Sequence, residues 1–376
     1  MQDWIAEAAA AIAARAPQEL GQLVAISSPS GDVGGADEAL AFARTLAPSG
    51  ALVERAPCSS ANHAEDLIVR VQGSGSGCVV LVGHVDTVVA HEDHRPLKRD
   101  GERLLGSGAV DMKGGVVLSL GVLRALAARR ETFAEVALLL VCDEEWRAGD
   151  FAHTPLFAGF DACLCFEGGE LTPAGDEAVV VKRKAAGTLQ VLAHGRSAHS
   201  GTAPEQGANA LLALALAAQS VARRHDPHGP LALTAVPTVV RCGDAFNVVP
   251  AAGELLCDLR ADGAQAFAAV LRGLPEHVDG VRIEAAMQRC WPSMDARTAT
   301  IDVLQSAASI LGRPIVAAGR GGASDASYLA QTIEVTVDGL GPLGGEAHAP
   351  GEYIVEASLR TRAEVALALA DAILSQ

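Results

Sequence analysis

Between Asp66 and Phe166 the chain repeats one pattern: short, largely aliphatic runs, DLIVRVQG, CVVLVGH, EVALLLVC and ACLCF, with a long amphipathic stretch, KGGVVLSLGVLRALAARR, among them. Runs with so little polar alternation cannot lie half in water, so they are expected as strands covered on both faces. Helices supply such cover when strands run parallel, and the segment reads as a mostly parallel α/β sheet. Ligands of such sheets collect beyond the carboxyl ends of the strands. The helix after Lys113 opens with Gly114 and Gly115, which leave its first amides open to close approach. The stretch GSGSG at 73–77 reads as a hairpin turn.

After about Val181 the texture changes. GTLQVLAHG and GELLCDLRA alternate like half-exposed antiparallel strands, GANALLALALAAQSVARR and AQAFAAVLRGL are helical, and VRIEAAMQRC is a further strand. This order predicts an α+β sandwich inserted at 183–292 into a first domain formed by 1–182 and 293–376. A chain of 376 residues is long enough for two cores. From Ser293 the first texture resumes, with the helix TATIDVLQSAASILG, the strand IEVTVDGLG and a closing helix from Ile354.

A net charge of −16 and a pI near 5.1 argue against nucleic acid or an anionic membrane as partner. Nothing in the sequence resembles a secretory signal or a membrane span, so a soluble cytoplasmic protein is expected. The cysteines lack paired CxxC spacing and are expected as buried thiols, including Cys163 and Cys165 on one strand face.

The strand ends are unusual. CVVLVG runs into His84-Val85-Asp86, whose outer two side chains face one way and suit an imidazole ligand oriented by a carboxylate. EVALLLVC runs into Asp143-Glu144-Glu145, and ACLCF into Glu167. Asp111 sits at the mouth of the glycine-led helix, and His348 in a late Gly/Pro loop. Singly, each has a bland explanation: strands end in polar residues, and an Asp before a helix is commonly a cap. Together they would meet at one sheet edge, where carboxylates without a cation repel one another. Two His and at least three carboxylates exceed the needs of one zinc and fit two ions sharing a carboxylate.

The set GHVDTV, GAVDMKGG, CDEEW, FEGG, AHSG and HAPGEY, in this order, resembles the zinc metallopeptidase family of glutamate carboxypeptidase, acetylornithine deacetylase, succinyl-diaminopimelate desuccinylase and aminoacylase. The likeness is nearest to bacterial glutamate carboxypeptidase, through GTAPEQGANAL and GGASDASYLA. The resemblance implies two Zn2+ per subunit, replaceable by Co2+ or Mn2+, with His84 and Glu167 on one, Glu145 and His348 on the other, and Asp111 bridging. It implies that Asp86 orients His84, that Glu144 is the catalytic base, and that Asp143 is solvated or capping. It implies a homodimer in which His199 of the inserted lid domain stabilises the oxyanion in the partner's site, while Arg260, Asn247 and Ser324 bind the substrate.

The implied reaction is hydrolysis of the amide of an N-acyl or N-peptidyl amino acid, releasing the C-terminal amino acid. The sequence departs from glutamate carboxypeptidase at Trp291, where a basic residue is expected, and near Ala178, which weakens the case for glutamate and favours an apolar or aromatic group. A biosynthetic deacylase of the acetylornithine or diaminopimelate type is the alternative, and a non-catalytic metal-binding module is the alternative of another class. A serine or thiol hydrolase lacks support: there is no G-x-S-x-G elbow, and Cys142 has no evident base beside it.

Overall fold

In the computed structural model, which describes residues 2–375, the aliphatic runs form one six-stranded sheet. Its strands are β1 (Leu52–Ala56), β2 (Asp66–Gln72), β3 (Cys78–His84), β4 (Glu135–Val141), β5 (Ala162–Cys165) and β6 (Val335–Val337), in the order β1-β2-β4-β3-β5-β6. The pairs from β4 through β3 and β5 to β6 are parallel, and β1 and β2 add an antiparallel edge. Side chains alternate between the faces. Val79 and Leu81 of β3, with Val136, Leu138 and Leu140 of β4, join the core beneath helices Asp3–Ala25, Gly114–Ala127 and Ser358–Leu374. Val80, Val82, Leu139 and Cys163 point the other way and are also fully buried, which explains the missing polar alternation.

Three expectations need correction. The 73–77 turn does not close a hairpin, because β4 lies between β2 and β3. Instead the turn wraps the start of β4, with Gly73 N donating to Ala134 O and Gly75 N to Phe133 O, at positions where a Cβ would meet backbone within 2.4 Å. The strand expected over IEVTVDGLG is only Val335–Val337. The closing helix begins at Ser358, because Tyr353–Val355 pairs as a strand with Arg103–Leu105.

The chain divides into two compact units. One runs to Lys182 and takes in Met294–Arg320 and everything from Ser324; the other comprises Arg183–Ser293 and Gly321–Ala323. The second unit holds an antiparallel sheet in which Ala252–Ala261 lies between Thr234–Cys242 and Ala185–His194, followed by Val281–Trp291 and His277–Val278. Leu189, Val191, Leu255, Cys257 and Leu259 share the face buried under helices Ala210–Ala222 and Gln265–Arg272. Thr234–Cys242 is an edge strand, and Val236 and Val240 on it are exposed, as are Leu211, Leu212 and Leu216 of the longer helix.

Gly115 ties the fold to the strand ends. A Cβ there would come within 1.8 Å of the carbonyl oxygen of Phe166, the residue before Glu167. Gly115→Ala is expected to destabilise the protein by about 1–3 kcal/mol, the typical cost of overpacking. Urea unfolding checks this, and an unchanged midpoint would show that the close approach is not tight.

Candidate metal centre

The parallel register decides what meets at the edge of the sheet. His84 at the end of β3 pairs with Val141 at the end of β4, and Val82 pairs with Cys165 at the end of β5. The residues that follow, Glu144, Glu145 and Glu167, therefore leave the sheet at one edge beside His84. Residues Ala109–Lys113, which lead into the helix from Gly114, bring Asp111 to the same place. His348 arrives from the loop between Gly344–Gly345 and Tyr353–Val355, with φ +64°. That left-handed backbone is uncommon outside glycine and persists where the surroundings hold it.

Two clusters share one carboxylate. His84, Asp111 and Glu167 form the first and Asp111, Glu145 and His348 the second, the donor atoms within each lying inside 4.8 Å of one another. Asp111 divides its oxygens between them: Oδ1 is 3.2 Å from His84 Nε2 and Oδ2 is 3.0 Å from His348 Nε2. Glu167 Oε1 stands 3.8 Å from His84 Nε2, and Glu145 Oε1 3.3 Å from His348 Nε2. One imidazole nitrogen and two carboxylates per cluster are a donor set suited to a divalent cation of the zinc class, with a position left over for water or substrate.

The surrounding residues aim these groups. His84 Nδ1 lies 3.0 Å from the Asp86 carbonyl, which leaves Nε2 for the centre. The Asp86 carboxylate lies 3.3 Å from His84 Nδ1 and accepts from the backbone amides of Glu144 at 3.2 Å and Glu145 at 3.1 Å, so one buried residue positions a histidine and two acids. Glu352, which no sequence pattern marks, accepts from the amides of Gly108, Val110 and Asp111 at 2.8–3.0 Å and fixes the turn that presents Asp111. Lys113 is fully buried and donates to the Ile26 carbonyl at 2.6 Å; burial pushes its amine down to about 7. Neither residue was legible beforehand, because each acts on backbone groups that only the fold brings near.

Asp143 is not solvated as expected but fully buried, paired with Arg147, which also pairs with Asp325. The Arg147 guanidinium stacks over Phe151, 4.6 Å from the ring centroid. A carboxylate next to Glu144 and Glu145 is thus neutralised internally, which limits repulsion at the strand end. Burial pushes Glu144 well above the usual range, against the pull of His84 and with Glu167 adding to the rise. For Asp111, burial acts upward, but hydrogen bonds from His348 and His84 hold it well below the usual range.

Ser324, in the first unit, is buried and donates to Asp338 Oδ2 at 2.6 Å. Ala178 is buried as well, and its carbonyl accepts from the guanidinium of Arg362 at 3.1 Å. Within the second unit, Ala198–His199 pairs with Val248–Val249, and Ser200 N donates to the Asn247 carbonyl at 3.0 Å, which brings exposed His199 and exposed Asn247 together. His199 Nδ1 accepts from the amides of Gly201 and Thr202, so its proton is on Nε2. Arg260 is part-exposed and held by Asp258 at 2.9 Å. Trp291 is 1 % exposed beneath Arg289, so its indole is not an open wall of this unit.

Hydrogen bonds to Asp111 and Glu145 push the metal-free His348 up to about 10, and those to Asp111 and Asp86 raise His84 despite its burial. The His348 imidazole thus carries a proton near pH 7, His84 is shifted in the same direction, and a cation must displace whatever proton each ligand nitrogen holds. Cation affinity should therefore rise with pH, about tenfold per unit for each proton displaced, and level off near pH 10. Competition titrations across pH 6.5–8.5 measure the slope; a flat profile would mean that these nitrogens are not the ligands.

The geometry agrees with comparisons to known proteins. Residues 80–372, well over half of the chain, match the model of Peptidase family M20/M25/M40. Carboxypeptidase G2 of Pseudomonas sp. strain RS-16 is 26 % identical over 353 residues, covering 89 % of this chain and 83 % of that protein. A succinyl-diaminopimelate desuccinylase of Halorhodospira halophila is 28 % identical over 305 residues, covering 74 % of this chain and 79 % of that protein. Among solved structures, an M20 family metallo-carboxypeptidase from Sulfolobus solfataricus superposes with a TM-score of 0.77 at 15 % identity, covering 96 % of this chain and 99 % of that one. The chain belongs to Peptidase family M20/M25/M40 and is a metal-dependent hydrolase.

Proposed function

We propose that the protein is a di-zinc amidohydrolase of the carboxypeptidase type, acting on an N-acyl or N-peptidyl amino acid and releasing the C-terminal amino acid. The observation that carries this reading is the division of Asp111's two oxygens between two His-carboxylate clusters. His84 and Glu167 would hold one ion, Glu145 and His348 the other, and Asp111 both; Co2+ or Mn2+ would fit the same donors. When bound, such a pair supplies Lewis acidity and lowers the pKa of water toward neutrality.

The chain's own groups do the rest. Glu144, next to the ligand Glu145 and raised by burial, takes the proton of the attacking water and returns it to the departing amine. Asp86 holds His84 through its backbone carbonyl and carboxylate and the Glu144 amide through its carboxylate, so the base and one ligand are fixed by the same residue. A cavity of about 300 Å³ beside His348, walled by Val88, Val89, Ala90, Ala349 and Pro350 but also by Asp93, Arg95 and Ser107, suits an acyl group that carries polar as well as apolar atoms. Arg260, by its bidentate fork, and Asn247 would hold the substrate carboxylate, and the Nε2 proton of the partner subunit's His199 would stabilise the oxyanion.

The exposed apolar row of Leu211, Leu212, Leu216, Val236 and Val240, on one helix and one sheet edge, supports a homodimer through the inserted unit. Among the described residues no helix is long and apolar enough to cross a membrane, and all eight cysteines are free thiols; both accord with a cytoplasmic enzyme. The similarity to carboxypeptidase G2 supports the carboxypeptidase reading. Similarity to desuccinylases favours a second reading, deacylation of a succinylated or acetylated diamino acid.

Purified protein should hydrolyse members of a panel of N-acyl amino acids, dipeptides, N-succinyl-diaminopimelate and N-acetylornithine, lose activity on chelation and regain it with Zn2+. Glu144→Ala should cost about 10²–10⁴-fold in kcat at unchanged metal content. Turnover that survives chelation, or an active Glu144→Ala, would contradict the proposal, and the preferred substrate decides between the two readings. Leu212→Asp should convert the dimer to monomer in light scattering; a dimer that persists would place the interface elsewhere.

A further inference from the structure

Immediately before the acids of the metal centre, the sulfur of Cys142 lies against a second sulfur. Cys142 Sγ is 3.9 Å from Cys58 Sγ, 3.2 Å from Asp66 Oδ1 and 3.0 Å from the Ala64 carbonyl oxygen. The donor atoms of Cys58, Asp66 and Cys142 all fall within 4.8 Å of one another. Cys142 and Asp66 are buried, whereas Cys58 is partly exposed and gives access from outside. Amide hydrolysis uses none of these groups.

The distances discriminate between two fates for a cysteine pair. Thiolates bound at about 2.3 Å to one tetrahedral ion stand about 3.8 Å apart, and a thiolate and a carboxylate oxygen on such an ion about 3.5 Å. A disulfide instead needs a sulfur separation of about 2.05 Å. The sulfur separation of 3.9 Å is close to the value for a shared ion and far from a disulfide, and the 3.2 Å between Cys142 Sγ and Asp66 Oδ1 lies about 0.3 Å inside the value for a bound pair. Asp66 also has the support that metal-binding carboxylates receive: His153 Nε2 lies 2.7 Å from its Oδ2, and the Cys142 amide donates to Oδ1 at 3.0 Å, which turns that oxygen toward the sulfurs.

We propose that Cys58, Cys142 and Asp66 form a third cation site, for one thiophilic divalent ion of the zinc class, separate from the Asp111-centred pair. The Ala64 carbonyl oxygen, 3.0 Å from Cys142 Sγ, is a further oxygen at the same place. Binding exchanges two thiol protons for one divalent ion, with no redox change: each S–H bond is replaced by a sulfur–metal bond and both protons go to solvent. The ion would tie the segment around Cys58, which follows β1, to the end of β4 and the start of β2. The chain leaves β4 through Cys142 to Asp143, Glu144 and Glu145, so the site also anchors the root of the catalytic acids.

The test uses sulfur as its own reporter, because the Asp111-centred pair has no sulfur ligand. Metal-free full-length protein titrated with Co2+ alone should develop a near-ultraviolet sulfur-to-cobalt charge-transfer band and bind three ions per chain. Cys58→Ser and Cys142→Ser should each abolish the band and reduce the count to two, whereas His348→Ala should keep the band. If Cys142→Ser does not fold, Cys58→Ser, at a partly exposed position, decides alone. On the unmodified protein, Zn2+ should also protect Cys58 from a thiol reagent, reversibly with a chelator. Absence of the band in the wild type at cobalt saturation, or its survival in Cys58→Ser, would overturn the assignment.

Discussion

The shared carboxylate of Asp111 is the constraint on which the rest of the first unit depends. Its oxygens lie within 3.2 Å of two imidazole nitrogens from opposite ends of the sequence, and Glu145, Glu167 and Glu144 crowd around them. Such a concentration of negative charge at a water-poor sheet edge is unstable unless cations or protons offset it. Without metal the surrounding carboxylates favour protons on the histidines, shifting both His84 and His348 upward. The fold holds the cluster in place by fixing backbones: Glu352 grips the Asp111 turn, Asp86 grips the amides of Glu144 and Glu145, and Gly115 lets the Phe166 carbonyl close in beside Glu167. A hydrolase site is what remains when those backbones cannot move.

Much of the fold was legible because burial on both faces leaves a plain mark: β3, β4 and β5 are uninterrupted aliphatic runs. Their common edge followed from parallel pairing, so the meeting of His84, Glu145 and Glu167 could be anticipated from where each run stops. Pairing order was not legible. The insertion of β4 between β2 and β3 depends on contacts of the 73–77 turn with residues 130–134, far along the chain. The strand at Tyr353–Val355 was hidden because three residues show no period and continue into a helical pattern.

At the site, the limits were of the same kind. Asp143 reads as a solvated strand end until Arg147, one helical turn away in sequence spacing, folds back on it and reaches Asp325 from the far end of the chain. Trp291 and Ala178 read as substitutions facing a substrate, yet both are buried, the first under Arg289 and the second next to Arg362. The cavity beside His348 is walled by three separate stretches, 88–95, Ser107 and 348–350, which share no sequence signature.

The measurement that bears most directly on this account is anomalous X-ray scattering at the zinc edge from crystals grown with Zn2+. The account predicts two strong peaks, one on each side of the Asp111 carboxylate, the first beside His84 and Glu167 and the second beside Glu145 and His348. A single peak, or two peaks of which Asp111 contacts only one, would contradict the shared-carboxylate centre and with it the proposed chemistry.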